Sequence, residues 1–123
     1  MAKKILLVED DEMLHNMYTQ KFKTQGYEVF SAFNGAEGVK MAGEKSPDLI
    51  LLDIIMPKMD GFVALKKIRK NSKTAKIPVI ILTNLGQEDD IKKGKELGAD
   101  DYFIKANHTP AEVVDKVKAV LKK

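Results

Sequence analysis

Leu49-Ile50-Leu51-Leu52-Asp53-Ile54-Ile55-Met56-Pro57-Lys58-Met59-Asp60-Gly61 is the stretch that decides the fold. Four large apolar residues in a row, with no polar alternation, describe a strand buried on both faces, as in a parallel sheet. The run ends in a carboxylate, Asp53. Pro57 and the Asp60-Gly61 pair then enforce a loop before the next helix can begin. An acid at the carboxyl end of a buried parallel strand stands where open α/β sheets place their ligands. As a plain helix cap Asp53 is badly placed, because Asp60 and Gly61 lie closer to that helix.

Outward from this strand, the same pattern repeats. Ile5-Leu6-Leu7-Val8 is a second continuous apolar run, and it ends in Glu9, Asp10, Asp11 and Glu12. Leu14, Met17, Tyr18 and Phe22 follow at helical spacing, and Gly26 stops that helix. Tyr27 to Phe33 alternates, as a half-exposed edge strand does. Asn34 and Glu37 form a capping pair for a helix reaching Glu44. Beyond Gly61, Phe62, Leu65 and Ile68 mark a helix with a basic outer face. Pro78 to Thr83 is a fourth strand, ending in a hydroxyl. Gln87 to Leu97 reads as a weaker helix, Asp101 to Ile104 as a short strand closed by Lys105. Thr109-Pro110-Ala111-Glu112 is a capping box with proline at the first helical position. Val113, Val117, Val120 and Leu121 give the last helix its apolar stripe. Five strands alternating with five helices predict a doubly wound parallel sheet, helices on both faces.

Length and composition narrow the function. A chain of 123 residues, 44% hydrophobic and 32% charged, suits one globular domain spanning 1–123. It has no cysteine, so disulfides and thiolate metal sites are excluded. The N-terminal apolar run is too short for a signal peptide, and no stretch spans a bilayer, so a cytoplasmic location is expected. The net charge of +3 comes almost wholly from scattered lysines, Arg69 being the only arginine. Such lysines solvate helix faces, and direct nucleic-acid binding by this chain is not expected.

In the predicted sheet every strand's carboxyl end meets the same edge. Glu9-Asp10, Asp53, Thr83 and Lys105 therefore converge from four strands. Crowded carboxylates repel one another unless a cation joins them. Oxygen donors without His or Cys favour Mg²⁺ or a similar hard ion, Mn²⁺ included. A cation beside a nucleophilic carboxylate, with a lysine and a hydroxyl as further donors, suits phosphoryl transfer. Asp11 is read as the cap of the first helix, and His15 and His108 as surface residues.

Leu7-Val8-Glu9-Asp10-Asp11, Leu52-Asp53 through Asp60-Gly61, Leu82-Thr83 and Gly98-Ala99-Asp100-Asp101-Tyr102-Phe103-Ile104-Lys105 resemble the CheY-like receiver domain of two-component response regulators. The resemblance covers the whole chain and implies the flavodoxin-like strand order 2-1-3-4-5. It implies that Asp53 accepts a phosphoryl group from a phosphohistidine on a sensor histidine kinase or phosphotransfer protein. It further implies that Glu9, Asp10, Asp53 and the main-chain carbonyl of Ile55 hold Mg²⁺. Thr83 and Lys105 would bind the phosphoryl oxygens, and Tyr102 would be the switch aromatic that turns inward when Thr83 moves. Such a domain catalyses only its own phosphorylation and dephosphorylation. Its output is a switched face, formed by the fourth helix, fifth strand and fifth helix, that binds a downstream protein.

One departure stands out. The family usually places a cis proline after its lysine, whereas here Lys105 is followed by Ala106, Asn107 and His108. A cis bond before a non-proline residue costs about 3–4 kcal/mol, so a trans Lys105–Ala106 peptide is expected. Ile55 and Leu85, flanking the pocket, are apolar and would restrict an attacking water. Two alternatives remain: a receiver cut from a larger DNA-binding regulator, and an aspartyl-nucleophile phosphatase. The latter needs a second acid two residues past its nucleophile, and that position is Ile55. A homodimer through the same switched face is open, with Asp100, Asp101 and Lys116 available for ion pairs between subunits.

Overall fold

The computed structural model describes residues 2–122. In chain order it contains β1 (Lys4–Val8), α1 (Glu12–Thr24), β2 (Glu28–Ala32), α2 (Gly35–Lys45), β3 (Leu49–Leu52) and α3 (Gly61–Lys70). There follow β4 (Val79–Thr83), α4 (Glu88–Glu96), β5 (Asp101–Ile104), a single 3₁₀ turn (Lys105–Asn107) and α5 (Pro110–Leu121). All strand pairs are parallel, in the order β2-β1-β3-β4-β5. This is the expected doubly wound α/β sheet.

The period-2 alternation of the buried strands sorts their side chains into two cores. Leu6, Val8, Ile50, Leu52 and Ile81 pack with Ala42 of α2 and Phe62, Leu65 and Ile68 of α3. Ile5, Leu7, Leu49, Leu51, Ile80 and Leu82 pack with Tyr18 and Phe22 of α1 and Val113, Val114 and Val117 of α5. Three central strands are thus covered on both sides, which is why their sequences show no polar alternation. Only β2, at the sheet's edge, keeps exposed positions, at Glu28 and Ser31.

Helix starts follow the local chemistry. The side chains of Asp11, Asn34, Asp60 and Thr109 each accept a backbone N–H in the first turn of their helix. Each such cap contributes about 1 kcal/mol. Asp60, not Asp53, caps α3, so Asp53 is spared that duty. Among the described residues no peptide bond is cis, and the Lys105–Asn107 turn carries the chain from β5 to the Thr109 cap. No helix there is long and apolar enough to cross a membrane.

Candidate functional site

Register brings the acids together. Val8 of β1 pairs with Leu52 of β3, so the residues that follow, Glu9 and Asp53, leave adjacent strands at the same level. Thr83 pairs with Ile104, which places Lys105 one step beyond the hydroxyl. The Asp53 amide still donates to Val8 O, 3.0 Å, so its backbone remains part of the sheet.

The loop after Asp53 is held close to the strand end. A Cβ on Gly61 would lie 2.2 Å from the main-chain oxygen of Asp53, so the start of α3 can approach only as glycine. In between, Lys58 adopts φ 68, and Met59 N donates to Pro57 O at 2.7 Å, a tight and strained turn.

Within this frame Asp53 is buried and fully engaged. Its Oδ1 accepts from the amides of Ile54 and Ile55, 2.7 and 3.4 Å, and its Oδ2 accepts from Lys105 Nζ at 2.8 Å. Lys105 Nζ also donates to Glu9 Oε1 at 2.6 Å. Burial alone would lower the lysine's pKa, but hydrogen bonds to Asp53 and Glu9 and their charges outweigh it and raise it. Glu9 is only 3% exposed, and burial pushes its carboxyl up to about 7. The Lys105 bond and the Asp11 amide oppose that rise, while the charge of Asp53 adds to it.

Asp10 is exposed beside them, and one carboxylate oxygen each from Glu9, Asp10 and Asp53 lies within 4.8 Å of the others. Three carboxylates face one ammonium, with a donor set made of oxygen alone. That set fits a hard divalent cation in both chemistry and charge.

Thr83 is buried, its Oγ1 3.4 Å from the Leu85 amide that points to it. The Tyr102 hydroxyl donates to the carbonyl of the same residue, Leu85. Its ring is 9% exposed, packed against Gly94 of α4, where a Cβ would come within 2.9 Å of it. Burial, then the charges of Asp90 and Asp53, push its phenol up to about 12. The ring therefore already lies inward, whereas its entry was expected to accompany switching. Ile55, two residues past Asp53, is 58% exposed.

One sequence expectation is corrected. His15 is not a surface residue: it is 2% exposed, its Nδ1 lies 3.0 Å from Glu9 O, and its ring stacks on Phe33. The signal was there, since His15 precedes the buried Tyr18 and Phe22 by three and seven residues, on one helix face. Asp100 is tied within the chain, to Arg69 Nη2 at 3.0 Å and the Val79 amide at 2.8 Å. Arg69 itself also donates to the carbonyls of Gly98, Ala75 and Ile77. Lys116 lies over the Phe103 ring.

Known proteins resemble this chain in sequence and in fold. The chain is 38% identical over 120 residues to the DNA-binding dual master transcriptional regulator RpaA of Synechocystis, covering 98% of this chain and 49% of RpaA. It spans about half the length of the curated relatives it matches. The Vibrio cholerae chemotaxis protein CheY4 superimposes with a TM-score of 0.90 at 28% identity, covering 98% of this chain and 99% of CheY4. The receiver domain of the Pseudomonas aeruginosa sensor histidine kinase PA1611, solved with a magnesium ion in its active-site cleft, gives 0.89 at 27% identity, with both chains fully covered. Residues 5–118 match the response regulator receiver domain, and the chain belongs to that family.

Proposed function

We propose that Asp53 accepts a phosphoryl group from a phosphohistidine on a sensor histidine kinase or phosphotransfer protein. A carboxylate oxygen of Asp53 forms the new P–O bond as the donor's P–N bond breaks, the electron pair returning to the imidazole. The observation that carries this reading is the orientation of the Asp53 carboxylate. Backbone amides hold one oxygen and Lys105 the other, at a strand end shared with Glu9.

Glu9, Asp10, Asp53 and the Ile55 carbonyl would hold Mg²⁺, with Mn²⁺ able to replace it. The magnesium ion in the PA1611 cleft supports this reading. The cation, when bound, neutralises the crowded carboxylates and the oxygens of the arriving group. Lys105 then turns its ammonium from the acids to a phosphoryl oxygen, a move its long stem permits. Thr83 offers its hydroxyl to another. Apolar Ile55 and Leu85 keep water from the acyl phosphate.

Thr83 and Tyr102 grip the two sides of Leu85, so a shift of the Thr83 hydroxyl pulls on the Tyr102 bond. Since the ring is already buried, the switch works by making or breaking that bond, and α4, β5 and α5 carry the change to a downstream protein or a second copy. A second reading concerns the whole protein. Because the chain spans about half of relatives such as RpaA, the receiver would then control an attached DNA-binding domain.

The test is phosphorylation by a small phosphodonor with Mg²⁺. The wild type should take up one base-labile phosphoryl group, and Asp53→Asn should lower the rate at least about 1,000-fold. Equal rates would overturn the assignment.

A further inference from the structure

We propose that His15 is a positioning residue for the cation site, acting through the main chain of Glu9. This inference rests on the assignment of Glu9 and Asp10 as cation ligands.

Glu9 is the first residue beyond β1. Its amide is still paired to Ala32 O of β2 at 3.0 Å. On the β3 side the last sheet bond, from the Asp53 amide, already goes to Val8 O. The Glu9 carbonyl therefore lies past the ladder and needs a partner of another kind. His15, returning on the first turn of α1, supplies it at 3.0 Å. A carbonyl oxygen only accepts, so Nδ1 carries the hydrogen.

That bond pins one particular peptide plane. The carbonyl of Glu9 belongs to the rigid unit between the Cα atoms of Glu9 and Asp10. The orientation of this plane sets the ψ of Glu9 and the φ of Asp10, and so the path of the backbone from one acid to the next. The plane has little else to hold it, because Asp10 is exposed and the next tie is Asp11 N to Glu9 Oε2 at 3.0 Å.

The imidazole is itself fixed. Its ring stacks on Phe33 with centroids 4.3 Å apart and planes 21° apart. Phe33 N is anchored by Glu37 Oε1 at 2.8 Å. A buried histidine at an apolar position of α1 is thus explained by the one hydrogen bond it makes. Among the described residues its Nε2 finds no partner, so burial of the ring is not repaid by a second bond.

Two substitutions separate the bond from the packing. His15→Phe keeps a flat ring against Phe33 and loses the donor. His15→Asn keeps an N–H the same two bonds beyond Cβ and loses the stacking. Mg²⁺ affinity, measured calorimetrically, should weaken about tenfold in the Phe variant. It should stay within about twofold of wild type in the Asn variant, even if that variant melts lower. A second readout needs no cation: the Asp11 amide should exchange about tenfold faster in the Phe variant. In the wild type the ring Nδ1–H should be protected from solvent and show a hydrogen-bond coupling to the Glu9 carbonyl. The proposal is overturned if the Phe variant binds Mg²⁺ as the wild type does, if Asn is as weak as Phe, or if the wild-type ring proton exchanges freely. A wild type that binds no Mg²⁺ overturns the ligand assignment, and this inference with it.

Discussion

The two edges of the sheet each carry a charged cluster, and they differ in how the charges balance. At the amino edge Arg69 meets one carboxylate, Asp100, and three carbonyls. Every partner there is an acceptor suited to a guanidinium, and charge is neutral. At the carboxyl edge three carboxylates face the single ammonium of Lys105. The first cluster is complete and ties the end of α3 to the loops before β4 and β5. The second carries surplus negative charge around two buried acids, which destabilises the fold unless a further cation joins them. Balance separates a structural cluster from a reactive one more sharply than burial does.

The largest expected effect breaks the amino edge. Arg69→Met removes the donor of four hydrogen bonds and should cost about 3 kcal/mol, lowering the melting temperature by about 10 °C. Phosphorylation and Mg²⁺ affinity should be unchanged, so Mg²⁺ should stabilise this variant and the wild type equally and leave the gap between them as it was. Lys105→Met breaks the other edge by leaving Glu9 and Asp53 without their cation. It should cost about 2 kcal/mol without divalent ions, and here saturating Mg²⁺ should recover most of the loss. If Mg²⁺ narrows the gap to wild type in the Arg69 variant, or leaves it unchanged in the Lys105 variant, the distinction is erased.

Smaller is the effect of Mg²⁺ on the wild type. At ten times its dissociation constant it should stabilise by about 1.4 kcal/mol, read as a melting shift. Asp10→Ala should abolish that shift while changing stability little in the absence of metal. The smallest effect lies at Tyr102. Tyr102→Phe should cost about 1 kcal/mol at neutral pH through the lost bond to Leu85. Its phenol loses its proton near 10 when unfolded and at about 12 when folded, so the native state holds more protons between these values. Wild-type stability should therefore fall as pH rises from 10 through 12, and the Phe variant should lack this component. Denaturant titrations at stepped alkaline pH measure it.

What the sequence made legible was local or periodic. Apolar runs predict the strands, and the caps at Asp11, Asn34, Asp60 and Thr109 act within three residues. The converging acids were legible too, because parallel topology sends every strand end to one edge. Arg69 escaped, because its partners Gly98 and Asp100 lie 29 and 31 residues away and no periodicity links them. Among scattered lysines it looked like another solvating charge. His15 differs: its helical spacing to Tyr18 and Phe22 marked it as buried, and only its stacking on Phe33, from the loop after β2, lay beyond local reading. The inward Tyr102 depends on Gly94, whose missing side chain makes room one helix away.

The bond between Lys105 and Glu9 joins residues 96 positions apart. During synthesis the acids emerge early, and the lysine that steadies them emerges with the last strand. Until β5 docks beside β4, Glu9 and Asp53 lack their ammonium and Leu85 lacks its tyrosine. The candidate site is therefore assembled only once the last strand is in place.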